Sequence, residues 1–313
     1  VTRAKVVAPG KVLLTGAYAV LEGAPALVLA VDRLAVADGA VVDPAPAAEI
    51  RAAFDQGGAP RVDVRALYEG GAKLGLGSSA AALVAALGVR AHAHGRDLAD
   101  PDVRAALLRE ARRAHASVQG GGSGVDIAAS VFGGALAYRV RSGEDAEVTS
   151  VRLPGALCFR VFWTGTPVRT SSMRARIDAL TSRDPASYRR AIDALSGASS
   201  SALQSAEASD LRGFVRAAQA TARALDELGR AADAPTIPAG CRPLLGLAEA
   251  ENAAFYPSGA GGGDVCVYLG EVSPSDRLLQ EAAAAGMRPL ELSLDPFGVR
   301  VAPGEAPAVS TSR

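Results

Sequence analysis

From residue 80 to residue 89 nearly every position is Ala, Val or Leu. A helix that is apolar all round has no face for solvent, so the pattern predicts a buried helix with only its N-terminal end at the surface. Amphipathic periodicity predicts a second helix over 101–117. Asp100 supplies its cap, Pro101 its first turn, and Val103, Leu107, Ala111 and Ala114 one apolar stripe. Arg104, Arg109, Arg112 and Arg113 lie mostly off that stripe and read as a solvated face. Shorter apolar runs predict strands at 4–7, 11–14, 26–31, 136–140, 148–153, 157–163, 265–269 and 288–294, with a weaker one at 61–69. Pro9-Gly10 parts the first two, and 43–60, rich in Ala, Pro and Gly, reads as a mobile surface excursion. A short apolar helical turn covers 127–131. Residues 171–232 are helical with interruptions at Asp184-Pro185, Gly197 and Gly213, which fits three or four helices. Further helices are predicted over 241–254 and 276–285, and 303–313 reads as a disordered tail.

Composition narrows the picture. With 313 residues the chain suggests two domains, or one large α/β domain. Apolar residues make up 49%, no run is long enough to span a membrane, and the formal net charge is zero. Neither nucleic acid nor a membrane surface is favoured as a partner, and small molecules are. Cys158, Cys241 and Cys266 are widely spaced and form no C-x-x-C pair, so neither a disulfide framework nor a zinc site is indicated. The first seven residues read as a strand rather than a secretory signal, and the expected compartment is the cytoplasm.

Candidate chemistry lies in three glycine-rich loops. Lys73-Leu74-Gly75-Leu76-Gly77-Ser78-Ser79-Ala80 runs directly into the buried helix. Its glycines let an anion approach the main chain, and the helix directs unpaired N–H groups and the positive end of its dipole at the same spot. The second loop, 119–126, ends at Asp126, and the third, 256–264, ends at Asp264. Taken singly these residues have plain structural readings. Lys11 is a lysine near a strand start, Asp126 a helix cap, and Asp264 a turn carboxylate. The Gly75-x-Gly77-x-x-Ala80 spacing also matches a dinucleotide-binding pattern, but the acidic residues that follow, Asp97 and Asp100, lie beside a proline turn after a long helix. No Gly-Lys-Ser/Thr closes any loop, and protein-kinase signatures are missing.

The three loops together resemble the GHMP kinases, the family named for galactokinase, homoserine, mevalonate and phosphomevalonate kinases. Pro9-Gly10-Lys11 through Tyr18-Ala19-Val20 resembles the first family motif, Gly75 through Ala81 the second, and Ser258 through Asp264 the third. Within the family, Lys73, the 119–130 segment, Trp163-Thr164-Gly165 and Asp264 resemble the phosphomevalonate branch. His115 stands where mevalonate kinases usually carry a glutamate.

The resemblance implies an α+β fold of two lobes: an N-terminal βα lobe over 1–154 that binds ATP, and a ferredoxin-like C-terminal lobe over 155–302 with a helical insertion. It implies ATP-dependent, Mg2+-assisted phosphorylation of 5-phosphomevalonate to 5-diphosphomevalonate in isoprenoid synthesis, by a monomer or homodimer. Lys11 and Asp126 are the implied catalytic residues. Lys73, Gly75, Leu76, Gly77, Ser78, Ser79 and Ala80 are implied to hold the nucleotide, with Ser79 reaching Mg2+. Tyr18, Ser123, Arg169, Ser258, Gly259, Ala260 and Asp264 are the substrate-side candidates. Two positions depart from the family pattern: Ala17 replaces a usual glutamate and Tyr256 a usual lysine. The second removes a cation that Arg169 or Arg174 would have to replace. The alternatives are another acceptor within the family and a nucleotide-binding homologue without catalysis.

Overall fold

Strand β1 (Lys5–Thr15) runs unbroken through Pro9-Gly10, because pairing with β2 (Ala26–Val42) absorbs the interruption as a register shift between Pro9 and Gly10. The sequence had suggested two short strands there. The computed structural model describes residues 4–54, 58–141, 145–165 and 170–303, with only the backbone of 170–172. After β2 come α1 (Ala48–Ala53), β3 (Pro60–Asp63), the hairpin β4 (Tyr68–Glu69) and β5 (Ala72–Lys73), α2 (Ser78–Ala93), α3 (Pro101–Gln119), α4 (Val125–Phe132), β6 (Ala135–Val140) and β7 (Ala146–Ser150). The 43–60 stretch is therefore not all loop. Ile50 and Glu49 of α1 are buried, and α1 packs on α3.

Strands β1, β2, β6 and β7 form an antiparallel sheet with β12 (Arg300–Val301) from near the end of the chain, ordered β12-β1-β2-β6-β7, with β3 also on β2. Helix α2 packs on β1 and β2. Its residues from Ala80 to Val89 are all buried, as its uniform apolarity predicts. Helix α3 is capped by Asp100, whose side chain accepts from the Asp102 amide, and buries Leu107, Leu108, Ala111 and Ala114.

The second half contains β8 (Cys158–Trp163), α5 (Thr170–Arg183), α6 (Pro185–Glu207), α7 (Leu211–Ala232), α8 (Arg242–Ala250), β9 (Ala254–Pro257), β10 (Val265–Gly270), α9 (Asp276–Ala284) and β11 (Arg288–Leu290). The sheet order β11-β8-β10-β9 is antiparallel throughout. Chain order places these strands fourth, first, third and second, the ferredoxin-like arrangement, with α5, α6 and α7 inserted after the first strand. The chain then returns to the first sheet, where β12 (Arg300–Val301) pairs with Val6 and Val7 of β1. Residues 304–313 of the predicted tail lie outside the described residues.

Candidate active site

Loops from both lobes meet over the N-terminus of α2. Gly77 precedes that helix at φ +78°, and a Cβ there would lie 3.0 Å from Lys11 Cγ and 3.6 Å from Asp126 Cβ. Lys11 and Asp126 thus flank the loop closely, and only a residue without a side chain fits between them. Strand β1 delivers the lysine: the Lys11 amide donates to the Leu76 carbonyl at 2.8 Å, and Lys11 Nζ donates to the Gly75 carbonyl at 3.2 Å. Asp126 sits in the first turn of α4, where its carboxylate accepts from the Ile127 amide. That is the helix-start role the sequence suggested, and it leaves the carboxylate facing the same cleft.

The 256–264 loop closes over the loop of Gly75 and Gly77. At Gly75, φ +77°, a Cβ would fall 2.3 Å from Asp264 Cβ, so the two loops interlock without room for a methyl. The Asp264 carbonyl accepts from the Thr164 amide and hydroxyl, fixing the loop to the end of β8. Tyr18, at φ 58°, donates its hydroxyl to the Ala260 carbonyl at 2.7 Å and ties the first motif to the third.

The resulting cleft has a volume of about 690 Å³. It is lined by Lys11, Asp126, Lys73, Gly75, Gly77, Ser78, Ser79, Tyr18, Ser123, Gly259, Ala260 and Asp264, twelve of the residues the sequence singled out. Leu76 and Ala80 are buried behind it, Leu76 serving through its carbonyl. Ser258 is placed elsewhere: its hydroxyl accepts from the Leu13 amide and donates to the Leu13 carbonyl, each at 3.0 Å. It fastens the third loop to β1 and does not line the cleft. Arg169 lies outside the described residues.

Burial holds the Lys11 ammonium below its ordinary value of 10.5, while the charges of Asp126 and Asp264 act in the opposite direction. Burial likewise raises the Tyr18 phenol, with a further push from Asp178.

Three polar cleft residues escaped the sequence reading as site residues. His115 and Gln119 face the cleft from the last turns of α3, and Asp178 faces it from α5. Arg112, read as solvated, lies across Gly124, where a Cβ would meet its side chain at 2.9 Å. The available signal was position, since His115 and Gln119 come just ahead of, or at the start of, a glycine loop.

Among the described residues no group of three or more His, Cys, Asp or Glu could hold a metal. Oxygen donors beside the loop include Ser78, Ser79, Asp126 and Asp264, a set that could give Mg2+ the one or two protein ligands it takes besides water and phosphate oxygens.

A helix-borne anion loop between two α+β lobes, with a lysine and a carboxylate on either side of it, is the architecture of a small-molecule kinase. The model for the N-terminal domain of GHMP kinases matches residues 47–134. A phosphomevalonate kinase from Streptomyces sp. strain CL190 is 34% identical over 255 residues, which cover 72% of this chain and 66% of that protein. A Lin0012 protein from Listeria innocua superposes with a TM-score of 0.82 at 23% identity, covering 96% of this chain and 99% of the other. Streptococcus pneumoniae phosphomevalonate kinase, solved with phosphomevalonate and AMPPNP, gives a TM-score of 0.76 at 19% identity, covering 93% and 99%. The chain belongs to the GHMP kinase family.

Proposed function

We propose that the chain transfers the γ-phosphoryl group of ATP to the phosphate of 5-phosphomevalonate, giving 5-diphosphomevalonate and ADP. The observation that carries the reading is the placing of Lys11 and Asp126 on either side of Gly77, at the mouth of an anion-binding helix. The choice of acceptor draws support from the 34% identical relative, a phosphomevalonate kinase.

In this reading Gly75, Gly77, Ser78 and Ser79 wrap the triphosphate, using main-chain N–H groups and the dipole of α2. Lys73, on β5 just ahead of the loop, adds charge at its edge. The Ser79 hydroxyl would hold a Mg2+ arriving with the nucleotide, which would supply charge neutralisation at the phosphates. An oxygen of the acceptor phosphate forms the new bond to the γ-phosphorus as the bond to the bridging β–γ oxygen breaks. Lys11 faces the transferring group and stabilises its charge. Asp126 orients the acceptor. A phosphate acceptor is already largely ionised at neutral pH, so the step needs little proton abstraction. Tyr18, Ser123, Gly259, Ala260 and Asp264 shape the acceptor side. The enzyme serves isoprenoid synthesis in the cytoplasm.

A coupled ADP-release assay over phosphomevalonate, mevalonate, homoserine and galactose tests this. Phosphomevalonate is expected to give the highest kcat/KM. A preference for mevalonate would move the chain to another branch, and no turnover with any acceptor would leave a nucleotide-binding homologue without catalysis.

A further inference from the structure

We propose that Arg174 of α5 binds the carboxylate at the far end of the acceptor and so selects acids for this site. The inference rests on the kinase reading above. Among the described cleft residues the fixed cations are Lys11, Lys73 and Arg174. The first two belong to the phosphoryl end, since Lys11 bonds to Gly75 and Lys73 precedes that glycine by two residues. Arg174 enters from the opposite lobe. Its Nε faces Asp178 Oδ2 at 3.6 Å one turn further along α5, with both side chains partly open to the cleft.

Lys11 lies within electrostatic reach of Asp126 and Asp264, and Asp178, beside Arg174, lies within reach of Tyr18. Leu13, Ala17, Val20 and Leu21 add apolar lining to the same cleft. The acceptor has parts to match each: a phosphate, a branched apolar chain, and a carboxylate. Its phosphate has to lie at Lys11 and Asp126 to react, and its chain gains by covering the apolar lining. The carboxylate then meets the one remaining cation of the described lining. A guanidinium suits that task, because its planar fork pairs with two carboxylate oxygens at once. Asp178, on the Nε edge, orients it. Tyr256, buried in place of the family lysine, offers no charge here.

Steady-state kinetics on the full chain provide the test, with phosphomevalonate and 3-hydroxy-3-methylbutyl phosphate, which lacks only the carboxylate group, compared as substrates or as competing ligands. Wild type is expected to favour phosphomevalonate by about 10- to 100-fold. Arg174→Gln should lose that preference by weakening phosphomevalonate alone, with the KM for ATP unchanged, and Arg174→Lys should recover part of it. If Arg174→Gln keeps the wild-type preference, or weakens both acceptors equally, the assignment is overturned. Wild-type failure to use phosphomevalonate at all strikes the kinase reading instead, and is seen before any variant is made.

Discussion

The hydroxyl of Tyr256 donates to the carbonyl of Leu14 at 2.8 Å, joining β9 to β1 across 242 positions of sequence. The bond answers a local defect. The β1–β2 ladder shifts register between Leu13 and Thr15, so Leu14 is skipped by the pairing and its carbonyl needs another donor. Ser258 serves Leu13 in the same way two residues further on. The third loop is thereby fastened to the strand that carries Lys11. Tyr256 is only 1% exposed, so the family lysine it replaces has given way to a structural bond rather than to another substrate contact.

Tyr256→Phe should therefore destabilise the protein by about 1–3 kcal/mol, the cost of leaving a buried acceptor without its donor. Tyr256→Lys should cost more, because it places an ammonium where nothing described pairs with it. Urea unfolding measures both. A midpoint unchanged in Tyr256→Phe would mean that water takes over the Leu14 carbonyl.

Gly75→Ala meets two obstacles: a backbone at φ +77° and an Asp264 side chain 2.3 Å from the new methyl. The left-handed conformation alone costs a non-glycine residue about 1–2 kcal/mol, and relieving the clash must part the Gly75–Gly77 loop from the 256–264 loop. The expected outcome is a raised KM for ATP together with a lower unfolding midpoint. Removing the Asp264 side chain with Asp264→Gly should restore part of the midpoint in the double variant. Wild-type ATP affinity in Gly75→Ala would show that the loops do not need to interlock.

The features legible in the sequence are those written locally. Asp100-Pro101 announces a helix start, the Ala/Leu/Val run of α2 announces burial, and glycines 75 and 77 announce a turn only they can make. What stayed hidden depends on distant partners. Continuity of β1 through Pro9-Gly10 needs β2 alongside, and β12 forms only because β1 offers it an edge at Val6 and Val7. Ser258 looked like a ligand contact because its motif is one. Only the approach of β1 shows its hydroxyl spent on Leu13. Arg112 looked solvated because periodicity cannot reveal Gly124 beneath it.

Asp126→Asn separates orientation from proton abstraction. An amide of the same shape retains the place beside Gly77 but neither the charge nor the basicity. If Asp126 orients an ionised phosphate, kcat should fall by about 10- to 100-fold, at or below the lower edge of what a general base supplies. The unfolding midpoint should stay close to wild type, since the carboxylate accepts from the neighbouring Ile127 amide, a bond the amide oxygen of Asn can keep. A fall of about 10⁴-fold, the upper edge of what a general base supplies, would return the residue to the role of base.

Lys11 makes the sharpest claim about pH. Burial disfavours its charged form, so in the free enzyme its proton leaves below the ordinary lysine value of 10.5, despite the opposing pull of Asp126 and Asp264. Only the protonated amine can neutralise the transferring phosphoryl group, so kcat/KM should fall along an alkaline limb whose midpoint lies below 10.5. The stability consequence has the opposite sign. Between the folded value and 10.5 the unfolded chain binds more protons than the native one, so this residue makes the protein more stable as pH rises through that window. Activity and stability should thus diverge with increasing pH, a pattern that general alkaline unfolding cannot produce. Lys11→Arg, which keeps its charge over the whole range, should shift the activity limb upward and remove the rise in stability. Parallel pH profiles of kcat/KM and of unfolding free energy for the two proteins measure both effects. An alkaline limb that stays in place in Lys11→Arg would assign it to another group.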